Sequence, residues 1–301
     1  MERNDMNVEY VEALVPDKMK LAMYVNRAKG LERTMAQFAD ACGVSASTLS
    51  RIVNHKITKP LSTELIQAIV KNSADPEQVE YEWVMRANGM VPKERHEQRS
   101  YMGDNYMERR EAQMNAEIVI KNTIADELYA RNHMIQFFQR LPVRELPSSK
   151  FALGQYSAFA IRIQGYEPMY WNFVVNVTSF QGDDEERIRR DRSMFIRRSM
   201  DRYSSIFLRD AWEPEIMKDI KTSFVFVDSE AFQMFSDLIL QAQVNTEMSI
   251  ILIDTDNQKV VTEKMIPRKE GSSASSIFDE EIKEVDDDDF EMWSDPDDKI
   301  D

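Results

Sequence analysis

Thr34 to Pro60, TMAQFADACGVSASTLSRIVNHKITKP, constrains the chain more than any other stretch, because several position-specific requirements coincide in it. Met35 to Cys42 places Phe38, Ala39 and Cys42 at helical spacing, and Gly43 supplies the backbone freedom that ends such a helix. Val44 is an apolar residue inside the turn, placed to fill the angle between two helices. Ser45 is a good N-cap for a second helix running to about Asn54. Leu49 and Ile52 then face a core, which leaves Ala46, Ser47, Ser50 and Arg51 on the opposite face. Those four are short or hydrogen-bonding, as a helix lying in a major groove requires. Thr34, Gln37, Asn54, His55, Lys56 and Lys59 flank that helix and are candidates for phosphate contacts, with Arg51 the leading candidate for a base.

The same residues carry a resemblance. The stretch resembles the helix-turn-helix of the Cro/CI-type repressor (XRE) family, which has a small residue at Ala39, glycine at Gly43 and aliphatic residues at Val44, Leu49 and Ile52, with Phe38 completing the structural core of the motif. The run from Ser45 to Ile52, then Asn54, a basic stretch and Lys59-Pro60, extend the likeness. The family's usual Asn-Gly is Asn54-His55 here. The resemblance implies a bundle of about five helices over roughly Val15 to Val91, sequence-specific binding to double-stranded DNA, and action as a homodimer on a two-fold site. Two other readings of the motif are a helix pair packed for stability alone and a domain of this kind that binds protein.

A net charge of -15 argues against a nucleic-acid binder until its distribution is read. Phe278 to Asp301 holds 13 acidic residues and two lysines, a net of -11, which leaves -4 for the other 277 residues. The chain has no run of 18 apolar residues and an acidic, polar start, so a cytoplasmic protein is expected, with no membrane span and no signal peptide. One cysteine, Cys42, excludes an intrachain disulfide, and three scattered histidines, His55, His96 and His133, exclude a Cys/His metal site. No phosphate-binding glycine loop or other cofactor fingerprint is present, and no catalytic residue is assigned.

The fold class expected is an all-α N-terminal helix-turn-helix bundle joined to a C-terminal α/β or α+β mixed-sheet domain, followed by a disordered acidic tail. The boundaries read as an arm over 1–14, the DNA-binding domain over 15–92 and a polar linker over 93–110. A sensing or oligomerisation domain follows over 111–267, and the tail over 268–301. Within 111–267 the expected order is a long helix over Glu111 to Arg140, strands in Phe151 to Gln164 and Tyr170 to Thr178, a helix over Asp183 to Lys221, a strand over Ser223 to Asp228, a helix over Ser229 to Val244, and a hairpin over Met248 to Ile266.

The helix after Asp183 carries Arg187, Arg189, Arg190, Arg192, Arg197, Arg198 and Arg202. That density suits an anion, an acidic partner or the chain's own acidic tail. It equally suits a solvated helix laced with ion pairs, since Asp183 to Glu186 precede it. The element order also matches a relative of the PD-(D/E)xK nucleases, whose chemistry needs an aspartate and a Glu-x-Lys on adjacent strands. At the corresponding places stand Ser157-Ala158-Phe159 and Val174-Val175-Asn176. Asp219-Ile220-Lys221 has the spacing but reads as the end of a helix, so the chemistry is absent even if the fold is shared. A third reading is an antitoxin or phage-defence protein whose tail masks a basic partner. Asp254, Asp256 and Asn257 lack the glycine and distal glutamate of a calcium loop and read as hairpin residues.

Overall fold

The computed structural model describes residues 8–57, 59–93, 104–142, 158–178, 180, 185–271 and 275–279. It divides into two compact units, the first running to Asn122 and the second from Thr123 to Ile282. The division falls inside one continuous helix.

The first unit contains α1 (Lys18–Lys29), α2 (Met35–Ala41), α3 (Ala46–Val53), α4 (Thr63–Lys71) and α5 (Tyr81–Ala87). Each of the first four opens on a side chain that accepts an otherwise orphaned backbone N–H: Asp17, Thr34, Ser45 and Ser62. Their apolar stripes meet in one core built on Leu21, Val25, Phe38, Leu49, Ile52, Ile66, Ile69 and Val84, all at most 1% exposed. At about 1.5–3 kcal/mol for each such side chain removed from water, this core holds the helices together.

The unit is not an all-α bundle. Strand β1 (Tyr10–Glu12) pairs antiparallel with β2 (Met90–Pro92), Val11 opposite Val91. The residues read as an arm therefore belong to the domain from Tyr10 onward. Three-residue strands are too short to show a period of two, and this one finds its partner about eighty residues away. Gly89 holds the junction at φ +83°, its carbonyl accepting the N–H groups of Ala13 and Leu14, and a Cβ there would lie 2.2 Å from the carbonyl oxygen of Leu14.

Helix α6 (Asp104–Tyr129) begins inside the stretch read as a linker. Its first part belongs to the helical unit. Asn115 accepts the N–H of Val15 at 3.0 Å, Asn122 donates to the Pro16 carbonyl at 3.0 Å, and Lys121 forms a buried ion pair with Asp17, the N-cap of α1. The helix also ends earlier than expected, at Tyr129. Ile135–Phe138 is strand β3, since apolar residues 135, 137 and 138 fit either period over so short a run.

The second unit is a six-stranded mixed sheet in the order β3-β4-β5-β6-β7-β8. It comprises β3, β4 (Phe159–Ile163), β5 (Tyr170–Asn176), β6 (Ile220–Phe226), β7 (Met248–Asp254) and β8 (Lys259–Met265). The pairs β3/β4, β4/β5 and β7/β8 are antiparallel, whereas β5/β6 and β6/β7 are parallel. Parallel neighbours require crossovers. Helices α7 (Glu185–Trp212) and α8 (Pro214–Met217) make the first, and α9 (Ser229–Ile239), capped by Asp228, makes the second. One sheet face meets α7 and α9 through Val174, Phe224, Phe226 and Ile250 against Tyr203, Phe232 and Phe235. Tyr203 and Phe235 lie edge-on to one another at 4.8 Å, each within 5.2 Å of Phe224.

The opposite face carries a polar layer. Trp171 of β5 donates from Nε1 to Ser223 Oγ at 2.6 Å, Ser223 shares a hydrogen bond with Ser249, and Lys221 sits 3.8 Å from the Trp171 ring. Lys221 pairs with Glu263 of β8 at 2.9 Å, both side chains fully buried. Ser276 donates to Glu263 at 2.6 Å, Ile277 is buried, and the Phe278 ring lies 5.6 Å from Trp171. The stretch from 268 read as a disordered tail thus remains part of the sheet unit at least to the 3-10 turn Ile277–Asp279. Residues 280–301 lie outside the described residues.

Candidate nucleic-acid interface

The turn between α2 and α3 is built as its sequence dictates. Gly43 takes φ +70° with nothing within 4 Å of where a Cβ would stand, so glycine is needed there for conformation and not for space. The N–H of Val44 returns to the Ala39 carbonyl at 3.0 Å, and Val44 packs on the core. Ser45 Oγ accepts the N–H of Thr48 at 3.2 Å and starts α3.

Leu49 and Ile52 are buried, which fixes the rotation of α3 about its axis. Ser47 and Arg51, one turn apart, are exposed, and Ala46 and Ser50 beside them are half-buried. Asn54, Lys56 and Lys59 are exposed beyond the end of α3, and the N–H of Lys56 closes that end on the Arg51 carbonyl at 2.8 Å. Thr34 to Pro60 carries three cations, Arg51, Lys56 and Lys59, against Asp40 alone, a local net of +2 inside an acidic protein.

One assignment changes, and the structure gives a further pair of residues a capping role. His55 is not a phosphate contact. It is 7% exposed, takes φ +59° in the place where the resembling family has glycine, and its imidazole is pushed down to about 4 by burial, with the Lys18 charge adding to the effect. A neutral, buried ring cannot reach a phosphate. The alternation of exposed Asn54, buried His55 and exposed Lys56 follows from the left-handed turn, which local periodicity does not show. Thr34 and Gln37 are a reciprocal capping box, the Gln37 N–H donating to Thr34 Oγ1 at 3.2 Å and the Thr34 N–H to Gln37 Oε1 at 2.9 Å. Both sit at the N-terminus of α2 with their acceptor oxygens committed to its backbone, which leaves the Thr34 hydroxyl hydrogen and the Gln37 amide N–H groups as the donors a phosphate contact would use.

The arginines of α7 separate. Arg189, Arg192 and Arg197 are exposed, and Arg192 pairs with Glu230 of α9 at 2.6 Å, an ion pair within the unit. The side chains of Arg187, Arg190, Arg198 and Arg202 lie outside the described residues. Asp219-Ile220-Lys221 is also re-placed, since Ile220 and Lys221 open β6. Its lysine is locked onto Glu263 beneath Trp171, with no exposed surface. Among the described residues no group of three His, Cys, Asp or Glu side chains is placed to hold a metal ion. Asp254 accepts the N–H groups of Asp256 and Asn257 and the Asn257 amide, a hairpin turn that holds its carboxyl below the usual range. No helix among the described residues is long and apolar enough to cross a membrane.

Comparison with protein-family models, with curated proteins and with solved structures finds no match to this chain.

Proposed function

We propose that the chain is a sequence-specific regulator of transcription that reads double-stranded DNA as a homodimer in the cytoplasm, its second unit serving to sense a signal or to assemble copies. The observation that carries the reading is the two-sided character of α3. Its inner face is fixed in the core by Leu49 and Ile52, and its outer face presents Ala46, Ser47, Ser50 and Arg51 between flanking Asn54, Lys56 and Lys59. A rigid helix with small outward residues and one guanidinium suits a major groove. There Arg51 donates both arms of its fork to a guanine, and the lysines meet phosphates.

Selection of bound sequences from a random DNA library tests the reading and reports the operator together. Recovery of no enriched sequence would remove it. Arg51→Ala is expected to weaken the selected site by about 1–3 kcal/mol while binding to random DNA and thermal stability stay near wild type. Equal losses on selected and random DNA would make Arg51 a phosphate contact instead.

The acidic segment is read as a competitor for the same basic surface. Because Ile277 and Phe278 are packed against the sheet unit, the informative truncation begins at Glu280 and keeps those contacts. Removing Glu280 to Asp301 is expected to raise DNA affinity, most at low salt, since screening weakens charge competition. An unchanged affinity across salt concentrations would leave that segment a solubilising extension.

A further inference from the structure

The second unit has an open cleft of about 630 Å³ at one end of its sheet. It is lined by the β4–β5 turn Gly165–Met169, by Lys218 and Asp219 leading into β6, by Asn245 to Glu247 leading into β7, and by Arg162 and Arg268. These walls are held in place. Asp210 of α7, 2% exposed, accepts the backbone N–H groups of Asn245 and Thr246 and the Thr246 hydroxyl, and the Asn245 amide donates to its carbonyl at 2.7 Å. The Val244 N–H donates to the Pro267 carbonyl and the Lys269 N–H to the Val244 carbonyl, so Arg268 is pinned beside that loop.

The lining carries both charge signs, Arg162, Lys218 and Arg268 against Glu167, Asp219 and Glu247. Asn245 and Thr246 are committed to Asp210 and Lys218 to Glu215, while Arg268 and Glu247 retain unused hydrogen-bonding capacity. Arg268 Nε and Glu247 Oε2 are buried without a hydrogen-bond partner; the Arg268 and Lys221 charges act on the Glu247 carboxylate, and another guanidinium nitrogen of Arg268 donates to the Asn245 carbonyl at 3.5 Å. Burial pushes the Glu247 carboxyl up, opposed by Lys221 and Arg268. Arg162 is exposed on β4 at the mouth. Tyr166 and Pro168 add flat apolar surface, and the volume lies within the range of small-molecule sites and well above what a lone anion fills.

We infer that this cleft binds a nucleoside phosphate, the phosphate taken by the Arg162 and Arg268 guanidiniums, an N–H edge of the base taken by Glu247, and the base face laid on Tyr166. Guanidinium forks suit phosphate oxygens, and a carboxylate that lacks a donor suits a base edge that presents one. The assignment concerns the second unit and stands apart from DNA binding, so either can fail without the other.

Calorimetric titration of the full chain tests it, using the four common nucleoside 5′-monophosphates and inorganic phosphate as probes at up to about 1 mM. At least one nucleotide is expected to bind more tightly than phosphate, with Arg162→Ala and Glu247→Gln each weakening it about tenfold or more. Arg162 is exposed, so its variant folds and isolates the phosphate contact. Absence of heat with every nucleotide, binding of phosphate as tight as that of the best nucleotide, or affinities unchanged in both variants would overturn the assignment.

Discussion

Lys221→Ala is expected to destabilise the second unit by about 3–5 kcal/mol, the largest single-residue effect anticipated in this protein. The lysine and Glu263 are both fully buried and meet at 2.9 Å between β6 and β8, with Trp171 against the ammonium and Ser276 on the far carboxylate oxygen. Removing the ammonium leaves the Glu263 carboxylate buried with the Ser276 hydroxyl as its hydrogen-bond donor, and takes a neighbouring cation from Glu247 as well. The pair itself is a weak source of stability, because desolvating two ions offsets most of their attraction. The double substitution Lys221→Met with Glu263→Leu is therefore expected to recover most of that loss in urea unfolding, short of wild type because Lys221 also acts on the Glu247 carboxyl. A single variant as stable as the double one would sink this account. Loss of Lys221 is also expected to loosen Ser276 to Phe278, which hydrogen exchange at those residues would register.

Acidification is expected to unfold the helical unit through His55. Its pKa falls from 6.5 in the unfolded chain to about 4 in the folded protein, mainly because the ring is buried. The folded state thus prefers the neutral ring, and between those values the unfolded chain binds the extra proton. Stability is whole above pH 6.5 and declines as pH falls towards 4, at about 1.4 kcal/mol per pH unit, or about 3 kcal/mol across the window. Lys18 strengthens the trend and Asp17, on the same side, opposes it. His55→Asn keeps a residue tolerant of φ +59° and removes the titration, so its stability should be flatter than wild type over that window. The comparison is one of slopes, since the smaller side chain also packs less well. Parallel slopes for the two proteins would show that other groups set the acid limit.

The motif at Thr34 to Pro60 was legible because its constraints are local. Gly43 is required by a left-handed turn, Ser45 by the N-terminus of α3, and Leu49 with Ile52 by a helical stripe three residues apart, each relation spanning a few positions. Tyr170 to Asn176 likewise announced a strand by its run of β-formers, all buried except the last. The errors fall where the deciding contact is distant. The strand at Tyr10 to Glu12 exists because Met90 to Pro92 comes alongside, and no property of three residues encodes that meeting. Helix α6 starts at Asp104, in a sequence too polar to show a stripe, and its lysine at 121 finds Asp17 more than a hundred residues earlier. His55 reads as a basic residue in a basic loop, and only its left-handed backbone turns it inward.

By itself the sequence determined the local pieces: where helices begin and stop, which face of α3 must be inside, and that the negative charge is concentrated beyond Phe278. Caps, glycine turns and short-range periodicity act within a few residues and are written in order along the chain. Tertiary structure alone decided that the helical unit closes on a small sheet, that Lys221 and Glu263 share a buried layer, and that Arg162, Glu247 and Arg268 border one cleft. Burial and ion pairing depend on which surfaces meet after the backbone has crossed from strand to strand. Such meetings are set by the packing of the whole unit, which no local window of residues contains.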